Sequence, residues 1–128
     1  MLDHAARQQK LAAPKATSDS AAAANALVEA LDSRFFKALS EPTRVEILKF
    51  LVQNGKADIG EITAAGRTHR SVVSRHLAIM HDAGILTRVQ EGRHVYYDVN
   101  AREFIQRLEA ITDNARSAAM ACCPWACT

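Results

Sequence analysis

Every cysteine of this 128-residue sequence falls in ACCPWACT, where Cys122, Cys123 and Cys127 flank Pro124 and the single tryptophan, Trp125. Thiolates are soft donors that select soft, thiophilic ions. No histidine or carboxylate stands in the stretch to complete a mixed nitrogen and oxygen set. Adjacent cysteines on an intact helix project about 100° apart. Pro124 disfavours helical geometry at Cys123, so the helix is expected to end there and the chain to fold back, bringing Cys127 to the pair. Trp125 is placed to shield such a site from water or to pack on the neighbouring helix.

A second chemistry lies upstream. Arg67, Arg70, Arg75, Arg88 and Arg93 share the segment 67–94 with His69, His76, His81 and His94, against only Asp82 and Glu91 as acids. The formal net charge is just +2, so the total does not announce a nucleic-acid binder. The local basic field does. Any one of these arginines is as well explained as a solvated surface charge; the cluster favours contact with DNA. His76 and His81 are five apart, whereas a helical ligand pair needs three or four, so neither is read as a metal ligand.

Composition bounds the class. A hydrophobic share of 48% and a charged share of 23% are ordinary for a globular protein, and the length fits one domain. No apolar run reaches membrane-spanning length, and MLDHAARQQKLAAPK has no apolar core of a secretory signal. An odd number of cysteines, two of them adjacent, is poor material for a disulfide framework. A reducing, cytoplasmic setting is expected, with no membrane partner. Nothing suggests an enzyme: there is no phosphate-cradling glycine loop, no serine elbow and no placed Cys–His pair. No organic cofactor is expected either.

The elements that must position these groups follow from period and punctuation. Residues 1–20 show no apolar period and read as a mobile arm. From Ala21 on, Leu27, Leu31, Phe35 and Leu39 recur every four residues on one helical face. Ser40 is the expected cap of the next helix, with Pro42 in its first turn. That helix is apolar on most sides (Val45, Ile47, Leu48, Phe50, Leu51, Val52) and is expected to be central. Gly55 follows it as a stop.

Two shorter helices come next. Asp58 caps the first, which turns Ile59 and Ile62 inward; Gly66 breaks the chain. Thr68 is the expected cap of the second, whose apolar side is Val72, Val73, Leu77 and Met80, and Gly84 ends it. The period then changes to two. ILTRVQ and RHVYYDV flank Glu91-Gly92, a hairpin signal, and one of Tyr96 and Tyr97 should face the core. A last helix carries Phe104, Leu108, Ile111 and Ala115 on one stripe and runs into the cysteines. The expected fold is mainly α with a small β-hairpin, in the order α-α-α-α-β-β-α: a winged helix–turn–helix. Its domain spans 21–118, followed by a cysteine-containing segment, 119–128.

The stretches FFKALSEPTRVEILKFL, SVVSRHLAIMHDAGIL and EGRHVYYDV, in this order, resemble the ArsR/SmtB family of bacterial metalloregulatory repressors. The likeness covers roughly residues 24–118. It implies a homodimer on double-stranded operator DNA, with the first and last helices at the interface and the two reading helices in successive major grooves. The apolar stripes of those helices, Leu27, Leu31, Phe104, Leu108 and Ile111, are the candidate interface. Reading is expected from the N-terminal part of the second helix of the motif, at His69, Arg70, Ser71, Ser74 and Arg75. The arginines can hold guanine with two hydrogen bonds or a phosphate with charge. Arg93 at the hairpin tip is placed to reach a minor groove or its phosphates.

The family's inducer sites occur at several positions, and most are missing here. The stretch that corresponds to its cysteine-valine-cysteine arsenic site is KADIGEI, without a thiol. At the places of its last-helix zinc site stand Ala101, Glu103, Asn114 and Ser117, too few donors for tetrahedral zinc. The arm has no cysteine. That leaves Cys122, Cys123 and Cys127, which suit trigonal-pyramidal As(III) or Sb(III), whose lone pair fills the fourth direction. Two alternatives stay open: another soft metal (Cd, Pb or Hg), or thiols that report oxidants or reactive sulfur. The bland reading is three exposed thiols with no role.

Overall fold

The computed structural model describes residues 18–122. In chain order the elements are α1 (Ser18–Leu31), α2 (Arg34–Ala38), α3 (Pro42–Asn54), β1 (Ala57–Asp58), α4 (Ile59–Ala65), α5 (Arg70–Asp82), β2 (Leu86–Glu91), β3 (His94–Val99) and α6 (Ala101–Cys122). The described residues divide into two compact units, 31–110 on the one hand and 18–30 with 111–122 on the other. Among the described residues no helix is long and apolar enough to cross a membrane.

Several local expectations need correction. The helix begins at Ser18, inside the segment read as an arm; positions 1–17 lie outside the described residues. The single helix expected from Ala21 to Leu39 is two helices. Ser33 adopts extended geometry and its side chain accepts the Phe36 N–H, starting α2 afresh. Ser40 does not cap α3; its hydroxyl donates backwards to the Lys37 carbonyl at 2.6 Å. Glu41 is the cap, accepting the Arg44 N–H at 3.0 Å. Asp58 caps α4 as expected, accepting Glu61 N–H at 2.8 Å. Thr68 does not cap α5: the cap position is His69, and no side-chain hydrogen bond is made there.

The core of the 31–110 unit is built from Phe35, Ile47, Leu51, Ile62, Val73, Leu77, Met80, Ile85 and Leu86, all buried. From α3 only Ile47 and Leu51 are buried. Val45 and Val52, expected inside, are exposed, so α3 lines the core with one face rather than standing at its centre. Phe35 sits edge-on to both Phe36 and Phe104, each at 5.2 Å between ring centroids.

The sheet has three antiparallel strands in the order β1-β3-β2. β1 is an addition to the expected hairpin, pairing Ala57 with Tyr97 and Asp58 with Tyr96. The hairpin turn also lies one residue later than expected. Glu91 pairs with His94, which leaves Gly92 and Arg93 as the two turn residues. Gly92 has φ 64° and Arg93 is not at positive φ, the combination of a type II′ turn, where glycine relieves the steric cost at the first position. Of β2 only Leu86 is buried; the rest of the strand stands clear of the core as a wing.

Candidate DNA-reading surface

The orientation of α5 is decided by its apolar residues. Val73, Leu77 and Met80 are at most 3% exposed, and α5 has its neighbours in α2, α3, α4 and β2. At about 100° per residue, burying that stripe turns Ser71, Ser74 and Arg75 outward within an arc of about 100°, while Arg70, the first residue of the helix, stands at the edge of the buried stripe. All four are exposed, as is His69. The serines are short, so a groove wall can approach the helix between the two arginines.

The missing cap matters here. The Val72 and Val73 amides both donate to the His69 carbonyl at 3.0 Å, and no side chain closes the turn. The positive end of the helix is therefore open to an anion such as a DNA phosphate.

Arg93 is exposed at the wing tip, and its position is braced from outside the hairpin. Lys56 donates to the Glu91 carboxylate at 2.7 Å and lies over the Tyr96 ring at 5.1 Å. His94 Nδ1 is 3.4 Å from Asp58 Oδ2. The hydrogen bond and charge of Glu91 raise the Lys56 pKa above its ordinary value, so this contact stays charged. Asp58 thus has two tasks, capping α4 and meeting the wing. Tyr97 packs against the core, and Tyr96 lies under Lys56.

The structure therefore presents Ser71, Ser74 and Arg75 on one exposed face of α5, His69 and Arg70 exposed at its start, and Arg93 on the exposed wing tip. Of the candidate interface residues, Leu31 and Leu108 are exposed, while Leu27 and Ile111 are half-buried. Phe104 is half-buried against Phe35 and so also serves the core. Cys122 is the last residue of α6; Cys123 and Cys127 lie outside the described residues. Among the described residues no group of three or more His, Cys, Asp or Glu is placed to hold a metal. Glu103, the one acid left of the last-helix zinc set, is paired with Arg107 at 2.8 Å.

Sequence reasoning missed two sets of residues, the Lys56–Glu91 brace and a contact of Arg44 with His76. Both join positions more than 30 apart, where no local period can show them.

Residues 41–88 match the family described as bacterial regulatory protein, arsR family. A helix–turn–helix transcriptional regulator of Methanocaldococcus jannaschii is 32% identical over 82 residues, 62% of this chain and 92% of that protein. The chain belongs to the arsR family. The regulator is also 38% identical over 68 residues to the arsenical resistance operon repressor of Bacillus subtilis. That match covers 53% of the regulator and spans 65% of the Bacillus protein's length. Among solved structures, the homodimeric winged helix–turn–helix DNA-binding domain of a possible ArsR-family regulator from Mycobacterium bovis superposes with a TM-score of 0.53. It is 27% identical, with 77% of this chain and 89% of that one covered. The regulator is thus a winged helix–turn–helix DNA-binding protein of a family of transcriptional regulators.

Proposed function

We propose that the regulator is a homodimeric repressor that holds a palindromic operator with His69, Arg70, Ser71, Ser74, Arg75 and Arg93. It releases that operator when As(III) or Sb(III) is bound by Cys122, Cys123 and Cys127. The observation that carries the DNA half is the outward face of α5, polar and basic over the same turns whose opposite face is buried. The inducer half rests on the donor set. Three thiolates without nitrogen or oxygen partners suit a soft, three-coordinate ion better than zinc, and the description of the Bacillus relative as an arsenical resistance repressor supports arsenic.

The test of the DNA half is Arg70→Ala and Arg75→Ala, each expected to weaken operator binding with the dimer intact. An arginine on phosphate lowers the salt slope by about one unit per protomer. An arginine on a base relaxes specificity by roughly 1–3 kcal/mol instead. If both variants bind like wild type at fixed salt, the reading surface lies elsewhere.

The exposed Leu31 and Leu108, with Val28, Ile105 and Met120 also exposed on the same helices, support pairing of α1 and α6 with a second copy. Sedimentation at about micromolar concentration, in the range where specific operator binding is already saturated, is expected to show a dimer. A monomer that still binds the operator tightly would contradict the proposal.

A further inference from the structure

His76 follows Arg75 in the sequence but is turned about 100° from it, its side chain only 14% exposed. Arg44 Nε donates to His76 Nδ1 at 3.2 Å, and Arg44 Nη1 donates to the Ala38 carbonyl at 3.2 Å. One guanidinium thereby joins the end of α2, the first turn of α3 and the middle of α5. Arginine is always charged and only donates. The bond to Nδ1 therefore requires a lone pair there, which fixes the ring as neutral with its proton on Nε2.

A proton on Nδ1 removes that acceptor and sets a second cation against the guanidinium. Among the described residues the one carboxylate within 4.0 Å of a ring nitrogen is Glu41, whose Oε2 lies 3.9 Å from Nδ1. That same oxygen caps α3 by accepting the Arg44 N–H. Among the described residues no other ion pair to His76 comes from α2, α4 or β2, which also pack against α5. An imidazolium at this place loses the bond from Arg44 and faces its guanidinium, with Glu41 as the carboxylate left to meet it. Losing that bond loosens the corner on which α5 is seated.

We propose that His76 is a positioning residue of the reading helix, seating α5 on the α2–α3 corner while neutral and unseating it when protonated. The inference rests on α5 as the DNA-reading helix. It predicts a pH dependence of unusual sign. Protonation of the exposed His69 and His94, on the side of the candidate DNA contacts, adds positive charge and strengthens binding. Protonation of His76 weakens it.

The experiment uses the full chain and a duplex selected by the wild-type protein from a random-sequence pool. Affinity is followed from about pH 8 to about pH 5.5, the range in which histidine changes charge. His76→Asn keeps an acceptor close to the Nδ1 position and cannot titrate; His76→Leu has no acceptor. Asn is expected to restore most of the affinity that Leu loses at the high end of the range. On acidification the wild type should lose at least about fivefold more affinity than His76→Asn, the low end of ordinary coupling. Coincident wild-type and Asn profiles overturn the inference, as does a Leu variant that binds like wild type. Should Leu fail to fold by circular dichroism, the comparison of wild type with Asn decides alone. Arg75→Ala separates the two levels. If it weakens binding while the profiles coincide, only the role of His76 falls; if both it and Arg70→Ala bind like wild type, the assignment of α5 falls and takes this inference with it.

Discussion

Deleting residues 122–128, or replacing any two of Cys122, Cys123 and Cys127 by serine, is expected to leave operator affinity close to wild type and to abolish release by arsenite. A ligand can shift the regulator toward a DNA-incompetent state only by the difference in its affinity for the two states. Coupling of about 1–3 kcal/mol corresponds to release by a factor of about five to 150, and all of it is lost with the donors. Serine keeps the shape of the side chain but offers a hard oxygen, and a single remaining thiolate does not chelate. The DNA-facing candidates lie at 69–75 and at 93, far along the chain from the deletion. α6 runs to Cys122 and carries the proposed dimer face, so a ligand at its end acts on the element that would set the spacing of the two reading helices. Fluorescence anisotropy of a labelled operator reads both quantities. A truncated protein that still lets go of DNA on arsenite addition makes the cysteines bystanders.

Phe35→Ala is expected to cost roughly 3–5 kcal/mol, the usual penalty for emptying a phenylalanine site that cannot collapse. Phe35 is 1% exposed and its ring is held edge-on by Phe36 and Phe104, with the Arg107 guanidinium 5.7 Å from its centroid. Such a loss is a large part of the stability of a small domain and lowers its melting temperature by more than about 12 °C. The melts must be compared at one protein concentration, because dimerisation adds to apparent stability. Val52→Ala provides the contrast: Val52 is 69% exposed, and the change should stay within about 0.5 kcal/mol. Equal melting temperatures for the two variants would mean that α2 is not seated as described.

What was legible in the sequence follows from the range of each signal. The change of period after Gly84 marked the passage from α5 to the wing, because burial on one face imposes a period of 3.6 on a helix and of two on a strand. Gly84 itself, at φ 85°, stands where a left-handed residue ends the helix. The split between α1 and α2 stayed hidden because the four-residue spacing of Leu27, Leu31, Phe35 and Leu39 runs straight through it. Only the Ser33 cap, a contact of one side chain with the next turn, breaks the helix. β1 is two residues long and shows no alternation; its strand geometry comes from pairing with Tyr96 and Tyr97, which lie far away in sequence.

The caps were misplaced for a related reason. Ser40 and Thr68 have good capping side chains, but Glu41 and His69 occupy the positions where the chain turns into the helix. Ser71, Ser74 and Arg75 were readable because the buried stripe of α5 fixes their direction. The seat beneath α5 was not, since Arg44 and His76 meet only once α3 and α5 are packed.

The most direct test of a ligand-released repressor is titration of the wild-type operator complex, at fixed salt, with arsenite, antimonite and zinc at equal free concentrations. Release by arsenite and antimonite at concentrations where zinc has little effect is the predicted result, because the three thiolates suit the soft ions and Glu103 is already paired with Arg107. A complex that remains intact with arsenite and antimonite, or that zinc dissociates as readily, would contradict the account.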